Sequence, residues 1–229
     1  MSPSLTSPPP AFPHPPDWAR AAVAALVARD PTLAGIEERV GVLPWQPRCK
    51  GFPGLLRAIC GQMISNEAAG ALWRRLDALP GATTPAGLLA LDPARLGIEG
   101  GLSRPKVAAA RALAEAVLSG RVRLDRLEAM EDAAAVAHLC AVPGIGPWTA
   151  EVHLLFGHGR PDIFPSGDLA LQAAVAHLRG LPARPAAAAL AAMAEAWRPY
   201  RAVAARLLWH HWLHHTRRPV LEPEGNAPA

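Results

Sequence analysis

β-branched runs are scarce in this sequence and aromatic residues make up only 5% of it, while Ala and Leu abound. Strands draw on the first two kinds of residue and helices on the others, so no strand is expected and the chain reads as all-α. Cysteine is also sparse. Cys49, Cys60 and Cys140 are too widely spaced for a metal-binding pattern, and Cys60 and Cys140 fall inside apolar helical patterns. Buried free thiols suit a reducing compartment. No apolar run approaches a membrane span, and the Pro/Ser-rich beginning lacks the apolar core of a signal peptide. The expectation is a cytoplasmic protein with no membrane association.

Proline is plentiful, at 25 residues, but it clusters in the first residues and at helix boundaries, where it punctuates. The net charge of +4 and pI near 9.5 are compatible with a nucleic-acid partner and do not require one. Residues 1–16 and 219–229 read as tails, the first through its prolines. Asp17 can cap a first helix with Trp18, Ala22, Val23 and Leu26 on its apolar face, and Asp30-Pro31 can open a short one. From Phe52 a helical period runs through Leu55, Leu56, Ile59, Met63 and Ile64, after which Ser65 or Asn66 can cap the next helix. Further helices are expected at 106–118, 124–130, 132–141, 147–157, 167–179, 185–195 and 198–215.

The run Val142-Pro143-Gly144-Ile145-Gly146-Pro147-Trp148-Thr149 sets a tight Gly-x-Gly turn between two helices. Glycines permit positive φ and let an anion approach, and amides at the following helix N-terminus point toward it. The same turn would also serve as a plain helix corner with glycines demanded by packing. Twenty residues beyond Trp148, the stretch Phe164-Pro165-Ser166-Gly167-Asp168 offers Ser166 as an N-cap and puts Asp168 in the first turn of a helix. Acids are ordinary there. A fixed anion in that place could equally stabilise positive charge in a transition state or orient a water.

Together the hairpin and the aspartate resemble the helix-hairpin-helix (HhH-GPD) superfamily of DNA glycosylases. The resemblance covers roughly residues 17–215 and implies two helical lobes flanking a DNA-binding active-site cleft, one lobe from 17–45 plus 166–218 and the other from 50–160. It implies Asp168 as the catalytic residue, with Asp162 structural. Main-chain groups of Gly144, Ile145, Gly146, Trp148 and Thr149 would hold a DNA phosphate. Trp148 stands where bifunctional members carry a lysine, and the chain's only lysines are Lys50 and Lys106. An enzyme that uses water and leaves an abasic site is therefore implied, without lyase activity. The cysteine quartet of the iron–sulfur members is missing, so no cofactor is expected.

Trp148 and Trp209, with the string Ala196-Trp197-Arg198-Pro199-Tyr200-Arg201, are similar to the branch that excises 3-methyladenine. The implied substrates are alkylated bases such as 3-methyladenine or 7-methylguanine in damaged double-stranded DNA, met by a monomer. Indole faces suit a cationic base. Gln62, within Gly61-Gln62-Met63-Ile64-Ser65, and Phe156 join the pocket candidates, although both residue types also serve as ordinary core. A deaminated or oxidised base, or a non-catalytic damage-binding module, are the alternatives. An alkali cation on the carbonyls of Cys140, Val142 and Ile145 is implied by the resemblance alone. The loop Leu79-Pro80-Gly81 is a candidate wedge into the duplex, and the C-terminal histidines are expected at a partly exposed helix end.

Overall fold

The computed structural model describes residues 15–45 and 49–217, so the tails expected at both ends lie almost wholly outside the described residues. Pro15 is already buried, which shortens the first of them. The described residues form twelve α-helices and no strand. These are α1 (Asp17–Arg29), α2 (Ile36–Val40), α3 (Gly51–Gly61), α4 (Asn66–Asp77), α5 (Pro85–Ala90), α6 (Pro93–Ile98), α7 (Arg104–Leu118), α8 (Asp132–Cys140), α9 (Pro147–Phe156), α10 (Leu169–Leu178), α11 (Ala187–Ala194) and α12 (Arg201–His215). Short 3₁₀ turns occupy Pro31–Leu33, Leu124–Ala129 and Glu195–Trp197.

Capping chemistry decides many of these boundaries. Ser65 accepts the Ala68 amide at the start of α4, Thr84 that of Gly87 in α5, and Asp92 that of Ala94 in α6. In α5, α6 and α9 a proline follows in the first turn, where a missing N–H costs nothing. Asp17 departs from expectation: it is the first helical residue, and Pro16 stands at the cap without a side-chain bond.

Packing gathers the helices into two groups. In one, α3 meets α4, α7 and α9, with α5 and α6 against α7 and α8 against α9. In the other, α12 packs on α1, α2 and α10. Helix α12 is buried nearly all round, with Ala202 to Leu208, His210 and His211 inside, as befits a helix enclosed by others. The expected exposed histidine end begins only at His214. A continuous apolar core joins both groups.

The helical period from Phe52 stops sooner than its apolar residues suggest. Helix α3 ends at Gly61, Met63 takes φ +60°, and its side chain is 95% exposed. Leu79, by contrast, is buried at 8% exposure, and of the loop Leu79-Pro80-Gly81 only Pro80 and Gly81 are exposed.

Candidate active site

Asp168 caps α10 itself, in place of Ser166. Tight turns, with Ser166 N–H donating to Phe164 O and Asp168 N–H to Pro165 O, bring the aspartate to the cap position. Its Oδ1 accepts the amides of Ala170 and Leu171, both at 2.9 Å. Two indoles complete the shell: Trp209 Nε1 donates to Oδ1 at 3.1 Å and Trp148 Nε1 donates to Oδ2 at 2.7 Å. Each of these four groups is a donor, and an ionised carboxylate only accepts. Helices α9, α10 and α12, drawn from both packing groups, thus converge on one half-buried anion at the positive end of α10.

The hairpin joins α8 to α9. Gly144 has φ +87°, and a Cβ there would lie 2.5 Å from the Ala109 Cβ of α7. Packing and backbone conformation therefore demand this glycine, as the plain corner would. Gly146 differs: its φ is −91°, and an added Cβ would meet nothing within 4 Å. Its missing side chain leaves open space over the first turn of α9, where the amides of Trp148 and Thr149 have no place in the helical ladder. Ile145 is engaged within the turn. Its side chain is buried and its N–H already donates to Val142 O at 3.0 Å. Of the carbonyls at Cys140, Val142 and Ile145, that of Val142 keeps one lone pair beyond this bond; neutral oxygens of this kind fit a hard cation. Among the described residues no group of three His, Cys, Asp or Glu side chains is placed to hold a metal.

Gln62 is bound to the hairpin. Its amide nitrogen donates to Gly144 O at 3.0 Å and to Thr149 Oγ1 at 2.9 Å, so both N–H groups are used and only its carbonyl oxygen remains for a base. The bond fixes the loop that carries Met63 beside the exposed hairpin tip. Phe156 stacks on Trp209, with ring centroids 5.4 Å apart and planes 24° apart, and so backs that indole.

Other candidates resolve into scaffold. Asp162 accepts from Arg198 and Arg201, and Trp197 is buried with its indole on Asp30. Lys106 is buried, its ammonium donating to Cys60 O at 2.7 Å. Burial pushes the Glu151 carboxyl, one turn into α9, up to about 7. Two features escaped the sequence reading: the exposed Met63, and Arg206, a cation embedded in α12 whose only sequence signal is a charge inside an apolar run.

No family model matches the chain. Known proteins do. A DNA-3-methyladenine glycosidase from Bacillus halodurans has a crystal structure with a TM-score of 0.71 and 31% identity, covering 86% of this chain and 91% of that one. The 3-methyladenine DNA glycosylase of Schizosaccharomyces pombe, solved in complex with abasic DNA, gives a TM-score of 0.77 at 25% identity over 86% of this chain and 97% of its own. The bifunctional transcriptional activator/DNA repair enzyme AlkA assigned in Mycobacterium tuberculosis is 33% identical over 204 residues, 82% of this chain. The chain spans only 39% of that relative's length.

Proposed function

The chain belongs to the DNA-3-methyladenine glycosylase family of helix-hairpin-helix proteins, and on that premise we propose that it is a monofunctional DNA glycosylase. It hydrolyses the N-glycosidic bond of alkylated bases in damaged double-stranded DNA, leaving an abasic site for base excision repair. The observation that carries this reading is the carboxylate of Asp168, held between the indoles of Trp148 and Trp209.

Breaking the bond between the sugar C1′ and the base nitrogen sends the electron pair to the base and leaves positive charge on the sugar. Asp168 is the fixed anion that stabilises that charge, a role suited to a carboxylate whose oxygens already accept four hydrogen bonds. Water then adds to C1′ and loses a proton. Trp148 has no amine, so no Schiff base forms and the strand stays intact. The extruded base stands against the indole faces, which favour electron-poor alkylated purines. The first-turn amides of α9 hold a phosphate without reading sequence. Met63, exposed and held beside the hairpin through Gln62, fills the gap in the duplex, taking the place expected of the Leu79 loop. The two helix groups act as lobes on either side of the DNA. The chemistry calls for neither metal nor cluster.

The test uses duplexes carrying a single alkylated, deaminated or oxidised base, with alkali to cut abasic sites. Release of the alkylated base, no nick before alkali and loss of release in Asp168→Asn are expected. Binding without release would make the protein a damage-binding module, and a nick before alkali would overturn the monofunctional assignment.

A further inference from the structure

Lys106, the third residue of α7, is 8% exposed, and its ammonium donates to Cys60 O at 2.7 Å. The ionisable group that acts on it is the Cys60 thiol, which burial pushes up to about 11 and so keeps neutral. Among the described residues no carboxylate pairs with it. Burial draws the ammonium below its ordinary value, the mark of a charge taken out of water without a counter-ion. An apolar side chain would fill this place without that cost. What the ammonium does there is hold one carbonyl in the last turn of α3, where carbonyls lack helical partners and the dipole favours a cation.

That carbonyl lies three residues before Met63. Between them, Gln62 N–H donates to Ile59 O at 3.2 Å, and the Gln62 side chain donates to Gly144 O and Thr149 Oγ1. The turn from Cys60 to Met63 is thus pinned from α7 on one side and from the hairpin on the other. Met63 takes φ +60°, a left-handed conformation that side chains disfavour, and its own side chain is 95% exposed. Such a backbone persists where its surroundings hold it, and here the pins on either side do so.

We propose that Lys106 is a positioning residue for Met63, fixing the end of α3 so that the turn presents Met63 before DNA arrives. The inference rests on the reading of Met63 as the group that fills the gap in the duplex. Without the ammonium the Cys60 carbonyl turns to water, the turn samples right-handed conformations, and the presented state becomes one of several. No hydrogen bond links Lys106 to Asp168, Trp148 or Trp209, so its loss acts on presentation and leaves bond cleavage alone.

The experiment measures single-turnover base release by wild type, Lys106→Met, Met63→Ala and the double variant, with the damaged base either paired or facing a mismatch. Lys106→Met is expected to slow release from the paired duplex about fivefold, the scale of one hydrogen bond, and from the mismatched duplex by under about twofold. In the Met63→Ala background the same substitution should change release by under about twofold, because the residue it positions is gone. A structural role alone would slow both duplexes alike and would add in full to Met63→Ala. Either result overturns the proposal, as does wild-type release by a folded Lys106→Met. If Lys106→Met does not fold, Lys106→Gln, which keeps only a neutral donor, is judged by the same comparisons. Wild type that releases no base overturns the glycosylase reading, and Met63→Ala that matches wild type on the paired duplex overturns the wedge; both take this inference with them. A Met63 effect to which the Lys106 loss simply adds overturns this inference alone.

Discussion

Trp148 and Asp168, twenty residues apart, meet through a hydrogen bond of 2.7 Å from the indole Nε1 to the carboxylate Oδ2. The residue that replaces an amine nucleophile therefore orients the anion that water-based cleavage needs. Trp148→Phe keeps the ring and deletes the donor. Because hydrogen bonds to charged groups are among the stronger ones, base release under single-turnover conditions should fall about tenfold while affinity for undamaged duplex stays the same. Unchanged release would show that the bond is incidental.

Asp168 has two duties that substitution can separate. Asn retains an oxygen able to cap α10, so Asp168→Asn should unfold within about 0.5 kcal/mol of wild type. Its base release should drop by about 10²–10³, the usual scale for losing one preorganised electrostatic partner. Asp168→Ala loses the cap as well, adding about 1 kcal/mol of destabilisation in denaturant titration. Equal release by the Asn variant and wild type would remove Asp168 from the chemistry.

The two hairpin glycines should behave differently. Ala at Gly144 meets Ala109 at 2.5 Å and sits at positive φ, so Gly144→Ala should lose about 2 kcal/mol, or several degrees in Tm. Ala at Gly146 meets nothing within 4 Å and should leave Tm in place. Its methyl would stand where a phosphate approaches the α9 amides, so affinity for duplex DNA should weaken several-fold at fixed salt. A Gly146 variant with a lowered Tm and full DNA affinity would refute this division.

Most of the helices were legible in the sequence because prolines, caps and apolar periods act locally. The exceptions trace to contacts between distant residues. Leu55, Leu56, Ile59, Met63 and Ile64 keep a helical spacing, yet α3 stops at Gly61 because Gln62 is drawn to Gly144 and Thr149, more than 80 residues away. Ser166 and Asp168 are both good caps, and the turn at Pro165, which composition does not reveal, selects the aspartate. Asp168, Trp148 and Trp209 could be named from their strings, but no string says that both indoles hydrogen-bond to one carboxylate. Arg206 could be flagged as a charge in an apolar run; its stacking on Trp45 and Phe156 joins α12 to α9 and to the segment between α2 and α3.

Met63 is placed to act on the duplex without supporting the fold. Its side chain is 95% exposed, so Met63→Ala should unfold within about 0.5 kcal/mol of wild type. Release from a fully paired duplex should nevertheless slow about tenfold, since an unfilled gap lets the extruded base return to the stack, a cost of the few-kcal/mol size of unstacking. The defect should shrink when the damaged base faces a mismatch, which is already easier to extrude. An equal defect on paired and mispaired duplexes would rule out the wedge.

Glu151 makes the hairpin helix sensitive to pH. Burial pushes its carboxyl from 4.5 to about 7 in the folded protein, so between those values the native state holds a proton that the unfolded chain has lost. Native protons in excess mean that stability falls as pH rises, here from about 4.5 to about 7, and levels off above. The full shift corresponds to a cost of roughly 3 kcal/mol at pH 8, an upper figure given that the side chain is only partly buried. Glu151→Gln keeps the shape of the protonated form and cannot ionise. Its Tm should match wild type near pH 4 and exceed it by several degrees at pH 8, with the gap opening across the interval between. His153 and His211, held neutral by burial down to about 3 and about 4, also change stability below pH 6.5, but they do so in both proteins and cancel from the difference. A Tm gap that stays constant from pH 4 to pH 8 would mean that Glu151 titrates alike in the folded and unfolded chains.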